Sequence, residues 1–214
     1  MNALSTLLAK YGDVFDTLKE ISLAGGPGAS DAQSFMLSME NYGWIIASVV
    51  AKFVLGYISP LSLSLQSEKC DLLEAYNEAQ NLIAVLEKER SDATFQKLFY
   101  NACKIGLATF GESFKPEKPR CCVKSQHRPI AGDVDHTPEE YFRISCYFPF
   151  LYNTISHLKQ RFPADLKNAL LAMHLVPDQL KKLDSTESQR LQEEFSMDLP
   201  DPDCFNQEVF RKIA

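Results

Sequence analysis

The sequence predicts an all-α fold, and two patterns along the chain support this prediction. Apolar residues recur at spacings of three and four in nearly every segment, which is the periodicity of an amphipathic helix. No segment alternates apolar and polar residues for long enough to predict a strand with comparable strength. The composition, with 45% apolar and 23% charged residues, is ordinary for a globular protein. At 214 residues the chain is long enough to bury a substantial core.

The first two predicted helices are separated by a glycine-rich stretch. Residues 2–20 form an amphipathic stripe of leucines and aromatic residues, which predicts the first helix. The sequence AGGPGASDA then interrupts the pattern, and Ser30 or Asp31 can cap a second helix. This second helix is expected to run to about Ser59, because Pro60 follows it.

Two further helices are predicted before the chain loses its periodicity. Asp71 and Glu74 have the spacing of a capping box, so they predict a third helix that ends in the charged residues before Ser91. A fourth helix is predicted from Asp92 to Phe110.

Helical order resumes at the sequence HTPEEYF. Thr137 at the N-cap, Pro138 at the first helical position and Glu140 three residues after the cap all indicate a helix start. Pro149 is expected to kink this helix and Pro163 to end it. Shorter helices are predicted around residues 164–173, 177–183, 186–196 and 203–213.

Charge and cysteine content limit the classes of partner and compartment. The formal net charge is −6, so contact with nucleic acid would need a local basic patch. The most apolar run, residues 44–58, is too short for a membrane span and contains Lys52, so no membrane partner is expected. The N-terminus lacks the basic start of a signal peptide, and the six scattered cysteines are typical of reduced thiols. These features predict a nuclear or cytoplasmic protein, not a secreted one.

The segment between the two helical parts is basic and has no periodicity. We divide the chain into an N-terminal helical part, 1–110, an irregular basic loop, 111–136, and a C-terminal helical part, 137–214, which together are expected to form one compact domain. Five cations within fourteen residues face one opposing glutamate there. The candidate nucleic-acid-binding residues are Lys115, Lys118, Arg120, Lys124, Gln126, His127 and Arg128. The other interpretation of the same residues is a basic loop that only keeps an irregular segment soluble.

Sites for metals and for known hydrolytic chemistry find little support in the sequence. Cys122 and His127 have the spacing of half a zinc site, but no C-x-x-C pair completes it. Asp133 and Asp135 could hold a divalent cation, but we interpret them as part of a polar loop that leads into a helix cap. The motifs G-x-S-x-G and H-E-x-x-H are absent, and GGPGAS lacks the Lys-Ser/Thr of a phosphate loop. We therefore predict no catalytic residues, no metal, no cofactor and no small-molecule substrate.

A resemblance to a known family rests on three sequence blocks. KSQHRPIAGDVDHTPEEYFRISCYFPFLYNTISHLKQRF (residues 124–162) resembles a segment of hAT-superfamily transposase-derived proteins, in the group that contains the zinc-finger MYM-type proteins and the 52 kDa repressor of the inhibitor of the protein kinase. PLSLSLQSEKCDLLEA and DLPDPDCFNQEVFRK are similar to flanking segments of the same group. The likeness covers nearly the whole chain and is most specific over residues 60–80 and 120–162.

The resemblance implies an irregular multi-helix bundle equivalent to the helical insertion of an RNase H-like transposase. The three catalytic carboxylates of that family lie outside the matching region, so none is carried onto a residue here. The expectation is a non-catalytic fragment of a domesticated or decayed transposase that acts as a nucleic-acid-associated module, with DNA, a protein partner or a second copy as candidate partners. The alternative is a protein-interaction module without DNA binding, in which Phe142, Tyr147 and the aromatic helix dock a partner.

Overall fold

The chain is all-α, as predicted. The computed structural model describes residues 3–68, 70–119, 136–176, 180 and 183–213, and the regular elements in these ranges are all helical. The α-helices, numbered in chain order, are α1 Ala3–Ala9, α2 Tyr11–Ala24, α3 Ala29–Met39, α4 Tyr42–Leu65, α5 Leu72–Glu89, α6 Asp92–Phe110, α7 Pro138–Phe142, α8 Phe148–Arg161, α9 Leu166–Ala172, α10 Ser185–Glu194 and α11 Phe205–Ile213. A π-helical segment, Arg143–Tyr147, joins α7 to α8, and a 3-10 turn, Met173–Leu175, follows α9.

The predicted starts of α5, α6 and α7 are confirmed, but the predicted cap at Ser30 or Asp31 is wrong. Helix α3 begins at Ala29, after Gly28, so both residues lie inside its first turn. Ser91 accepts a hydrogen bond from the backbone N–H of Thr94 at the start of α6. Asp71 accepts bonds from the N–H groups of Leu73 and Glu74 at the start of α5. The first N–H groups of a helix have no partner within the helix, and capping side chains accept their hydrogen bonds. These helix boundaries are therefore determined by residues close to them in the sequence.

The first two predicted helices were placed wrongly, because each is interrupted. The predicted helix 2–20 breaks at Lys10, and the second predicted helix divides into α3 and α4 around Asn41. Pro60 lies inside α4 and does not end it. Burial of Leu61 just beyond the proline offsets the backbone hydrogen bond that Pro60 removes.

The predicted irregularity at Pro149 takes the form of the π-helical segment. The N–H of Phe148 donates to the carbonyl of Arg143, five residues earlier, which is the spacing of a π-helix. Proline has no N–H, and its ring clashes with the carbonyl four residues before it, so regular α-helix is disfavoured at this point. The widened turn places the Tyr147 ring in the protein interior.

The described contacts group the chain into two compact units. Unit 1 comprises residues 1–60 and 84–156, and unit 2 comprises residues 61–83 and 157–214. The predicted N-terminal part, 1–110, and C-terminal part, 137–214, therefore each supply residues to both units.

Unit 1 is built around the apolar face of α4 and the aromatic side chains of α6. Helices α2 and α3 pack against each other, and α2 also packs against α6. The Tyr11 hydroxyl donates to the carbonyl of Met39, which ties α2 to the end of α3. The fully buried side chains of this unit include Tyr11, Ile45, Ile46, Val50, Val54, Leu86, Phe95, Tyr147 and Leu151.

Unit 2 has its own leucine core. Helix α10 packs against α9 and α11, and the Gln80 side chain donates to the carbonyl of Phe162 over 2.8 Å. The buried cluster consists of Leu73, Leu171, Leu180, Leu183, Leu191 and Val209.

Helix α4 is long and apolar enough to cross a membrane by length and composition alone. It has 24 residues, and its most apolar window has a mean hydropathy of 1.7 with 39% of that window buried. A core helix of a globular protein has the same properties, and Ile45, Ile46 and Val54 of α4 are fully buried within unit 1.

Candidate nucleic-acid interface at the start of the basic segment

The structure describes two of the seven predicted contact residues. Lys115 and Lys118 lie in the irregular stretch that follows α6, and both side chains are exposed. The remaining five, Arg120, Lys124, Gln126, His127 and Arg128, lie outside the described residues. The structure therefore describes the candidate site at the two ends of the basic segment, where the chain follows α6 and where it begins α7.

Phe114 anchors the entry of the basic segment. After α6 ends at Gly111, the N–H of Phe114 bonds to the carbonyl of Gly111, and the phenyl ring turns back over the helix. A Cβ atom added at Gly106 would lie 2.6 Å from the Phe114 ring, so the ring occupies the space that only a glycine leaves open. Phe114 also packs on Phe110 with ring centroids 4.7 Å apart.

Tyr42, the first residue of α4, lies between the two ends of the basic segment. Its ring centroid is 6.2 Å from that of Phe114, near the start of the segment, and 5.5 Å from that of Phe142, after its end. The Tyr42 hydroxyl is 3.2 Å from the Cys103 sulfur and donates to the carbonyl of Phe99. Burial, with the neighbouring Cys103 as a smaller cause, raises the pKa of Tyr42 far above its ordinary value. The tyrosine is therefore a neutral, buried anchor that both ends of the segment share.

A complete capping box fixes the exit of the basic segment. The Thr137 hydroxyl accepts from the N–H of Glu140, and the Glu140 carboxylate accepts from the N–H of Thr137 over 2.9 Å. The Thr137 N–H and the Thr137 hydroxyl both donate to the Glu140 carboxylate and lower the pKa of Glu140, and His136 and Arg143 add smaller effects in the same direction. Helix α7 therefore begins at a defined residue, and its Phe142 reaches Tyr42.

An open cleft lies beside the entry. It has a volume of about 390 Å³ and is lined by residues of the α3–α4 junction and of the stretch after α6. Its charged lining residues are Lys115 and Lys118 together with Glu40 and Glu117. The two lysines and two glutamates at the cleft therefore balance each other in charge. The other three cations of the segment, Arg120, Lys124 and Arg128, follow Pro119 in the sequence.

Sequence reasoning did not predict Tyr42, Gly106 or Phe114 as site residues. The available signal was Gly106 itself, because a glycine inside a helical pattern often marks a close approach by another group. Which group approaches Gly106 is a tertiary contact that periodicity does not encode.

The other sites considered from the sequence are only partly described. Cys122, Asp133 and Asp135 lie outside the described residues, as does His127. The four cysteines in the described ranges, Cys70, Cys103, Cys146 and Cys204, are free thiols. Within those ranges no three side chains of histidine, cysteine, aspartate or glutamate come together as a metal site would require.

A buried contact between a histidine and an aspartate was also not predicted from the sequence. In unit 2, His174 is buried and its Nε2 lies 3.6 Å from a carboxylate oxygen of Asp71, the residue that caps α5. The capping hydrogen bonds already use the other oxygen of that carboxylate. The pair therefore connects the start of α5 with the turn after α9.

The docking residues expected for a protein-interaction module are not at the surface. Phe142 is 3% exposed and Tyr147 is 0% exposed, so both belong to the core of unit 1. The π-helical segment turns Tyr147 inward, where its ring packs on Phe95 at 5.2 Å. That part of the prediction was wrong, because the aromatic face of this helix is used within the fold.

Comparison with known proteins gives no relative: no family model matches the chain, and neither a curated protein nor a solved structure does so.

Proposed function

We propose that this chain is a non-catalytic, nucleic-acid-associated module, equivalent to the helical insertion of a hAT-type transposase and acting in the nucleus. The observation that carries the proposal is the concentration of five cations between Lys115 and Arg128 in a chain of net charge −6. A cluster of this kind attracts phosphates, and the counterions released on binding make the affinity depend on salt.

The anchoring of the segment supports this proposal. Phe114 and Phe142 both pack on Tyr42, so the described residues on either side of the cationic sequence meet at one place. Joining the two ends of a chain segment in this way limits how far apart its charges can lie. Local concentration of positive charge is what a duplex backbone requires of an acidic protein.

The test is fluorescence anisotropy of labelled duplex DNA titrated with the whole chain at several salt concentrations. Replacement of Lys115 and Lys118 by alanine is expected to lower the salt slope by roughly 1.8, since each lost phosphate contact removes ~0.9. Replacement of Arg120, Lys124 and Arg128 by alanine is expected to lower it further. The matched control replaces Lys19 and Lys52, two exposed lysines elsewhere in unit 1, and should leave the slope unchanged. Absence of duplex binding by the folded wild-type chain at low salt would refute the proposal.

The proposal also predicts that bound DNA is not cut. The family's carboxylates have no counterparts here, and two-metal cleavage needs carboxylates that converge on ions ~4 Å apart. Incubation of plasmid DNA with the chain and Mg²⁺ or Mn²⁺ should leave the plasmid intact. Cleavage that disappears in a variant with Asp133 and Asp135 changed to asparagine would establish a nuclease instead.

One observation favours the second candidate, a protein-interaction module. Helices α2 and α3 expose large apolar side chains, with Leu23 78% and Phe35 62% exposed. Contiguous exposed apolar surface commonly marks an interaction site. Binding of a protein partner that is insensitive to salt and is lost in the Phe35→Ser variant would support this candidate over the nucleic-acid module.

A further inference from the structure

Helix α6 presents a solvent-facing stripe that combines cations with an aromatic ring. Lys97, Tyr100, Asn101 and Lys104 are spaced by three and four residues, and all four side chains are exposed. Such spacing places them along one face of the helix, with the two lysines ~10 Å apart along its axis and the tyrosine between them. The opposite face of α6 carries Phe95, Leu98 and Ala102, which are buried.

The charge on this stripe differs from that of the chain as a whole. The chain has a net charge of −6, yet α6 contains no acidic residue between Ala93 and Phe110. Its one acidic residue, Asp92, lies 2.8 Å from the guanidinium of Arg143 and is therefore already compensated. The α6 face is thus a positive surface without an internal counter-charge.

The tyrosine on this surface is poorly covered. Tyr100 is 65% exposed, and the Lys104 ammonium lies 5.6 Å from its ring centroid. A lysine held beside an exposed aromatic ring offers a cation and a stacking surface at one point. A tyrosine ring that served only in core packing would be buried, and the Tyr100 ring is mostly exposed.

We propose that the stripe of Lys97, Tyr100 and Lys104 on α6 binds single-stranded nucleic acid, with a base stacked on Tyr100 and phosphates at the two lysines. Single strands fit better than duplex, because a stacking ring needs an unpaired base face, which the interior of a duplex does not offer. This inference extends the proposed function to a second surface, and it can hold or fail independently of the basic segment.

The test is fluorescence anisotropy with a labelled oligothymidylate and a labelled duplex of the same length, using the whole chain. Tyr100→Ala is expected to weaken binding of the single strand about tenfold, which corresponds to the loss of about 1.4 kcal/mol of base stacking on the ring. The same variant should bind the duplex like wild type, and Tyr100→Phe, which keeps the ring, should bind the single strand like wild type.

The lysines are tested through the salt dependence. The double variant Lys97→Ala/Lys104→Ala should lower the single-strand salt slope by roughly 1.4, since each phosphate contact contributes ~0.7 on single strands. The charge-matched double variant Lys19→Ala/Lys52→Ala should not lower it. All five side chains are exposed, so the variants are expected to fold, and circular dichroism checks this.

Three results would overturn the inference. They are failure of the wild-type chain to bind the single strand at low salt, unchanged single-strand binding by Tyr100→Ala, and equal salt slopes for the two double-lysine variants. Duplex binding that depends on Arg120, Lys124 and Arg128 while the α6 variants behave like wild type would leave the proposed function standing and reject only the α6 site. If the wild-type chain binds no duplex, and single-strand binding is lost in the α6 variants, the α6 site stands and the duplex-binding role of the basic segment is rejected.

Discussion

Gly106 and Phe114 show how one missing side chain determines the course of the following segment. The Phe114 ring lies 2.6 Å from the position that a Cβ at residue 106 would take, so the ring packs on α6 at a point where only glycine leaves room. Gly56 lies inside α4 in a different environment, because a Cβ added there meets no atom within 4 Å. Gly106 and Gly56 are therefore two helical glycines of unit 1 that differ in local packing.

Gly106→Ala and Gly56→Ala are expected to change stability in opposite directions. The added methyl group at position 106 displaces Phe114 and should lower the free energy of unfolding by about 1–3 kcal/mol. The same substitution at position 56 meets no contact and should raise it by about 0.5–1 kcal/mol through helix propensity. Urea denaturation followed by circular dichroism measures both, and equal effects of the two variants would disprove the role of the Phe114 contact.

Tyr147 is a second residue whose environment predicts a measurable property. Its hydroxyl donates to the backbone carbonyl of Glu89 over 2.7 Å at the end of α5. Burial, and then the nearby Glu89 and Tyr57, raise the pKa of Tyr147 from 10.0 to about 12. Burial also raises the pKa of Tyr11 and of Tyr42 well above the ordinary value.

These raised pKa values predict a loss of stability at alkaline pH. Above pH 10 the unfolded chain releases tyrosine protons that the folded chain retains, so the free energy of unfolding falls as the pH rises toward 12. Below pH 10 both states hold these protons, and this contribution is constant. Urea titrations across this range should show the decrease, and Tyr147→Phe should make it shallower. A decrease of the same steepness in Tyr147→Phe would contradict the assignment.

At the scale of the elements, two capping boxes define helix starts that the fold then uses. Thr137 with Glu140 begins α7, and Asp184 with Glu187 begins α10 in unit 2. Both boxes have reciprocal hydrogen bonds between the cap and the third helical residue, so each satisfies two otherwise unpaired N–H groups.

Removing either cap should lower the free energy of unfolding by a similar, modest amount. Thr137→Ala and Asp184→Ala are each expected to lower the free energy of unfolding by about 1 kcal/mol, the usual cost of losing an N-cap. Thr137→Ser keeps the hydroxyl and should behave like wild type in thermal denaturation. A Thr137→Ser variant as unstable as Thr137→Ala would mean that packing of the threonine methyl group, not capping, matters at this position.

The capping box of Thr137 and Glu140 predicts how stability changes at acid pH. The pKa of Glu140 is lowered in the folded state, so its contribution is present above the unfolded pKa and is lost as the pH falls through the folded value. Glu140→Gln should therefore differ from wild type at neutral pH and become indistinguishable from it in acid. Stability curves of the two proteins that stay parallel down to acid pH would contradict this account.

At the scale of the whole molecule, charge is distributed unevenly between the two units. Unit 1 has 14 acidic and 13 basic residues, whereas unit 2 has 14 acidic and 9 basic residues, a net charge of −5. Unit 1, which carries α6 and the basic segment, is thus nearly neutral. The acidic balance of the chain, which argues against nucleic-acid binding, is mainly a property of unit 2.

The leucine core of unit 2 predicts how a change there affects the whole chain. Leu191→Ala removes a side chain that is almost completely buried and should lower the free energy of unfolding by about 2–5 kcal/mol. Met197→Ala, at an exposed position three residues beyond α10, should change it by less than about 0.5 kcal/mol.

The fluorescence of Trp44 tests whether that effect extends beyond unit 2. Trp44 is the only tryptophan and lies in unit 1, so its emission reports on that unit. Helices α4, α5 and α8 are continuous and supply residues to both units, so we expect Leu191→Ala to shift the fluorescence and circular dichroism transitions together. A fluorescence transition that stays at its wild-type midpoint would show that unit 1 unfolds by itself.

The parts of the fold that the sequence predicts are those with local causes. The bounds of α6 and the starts of α5 and α7 follow from caps within four residues of the boundary. The break at Lys10 and the passage of α4 through Pro60 have no such local cause, so periodicity placed these boundaries wrongly. Propensity is a weak preference, and burial elsewhere in the fold overrides it.

The sequence by itself determined the all-α class, the capped helix starts and the position of the basic segment, because each depends on neighbours within one or two helical turns. Tertiary structure alone decided that Tyr42 joins the two ends of that segment, that Phe142 and Tyr147 are buried, and that Lys97, Tyr100 and Lys104 face solvent. These features join residues distant in sequence or depend on which helix face meets a neighbour. The periodic pattern shows that a helix has an apolar face, but only packing determines what covers it.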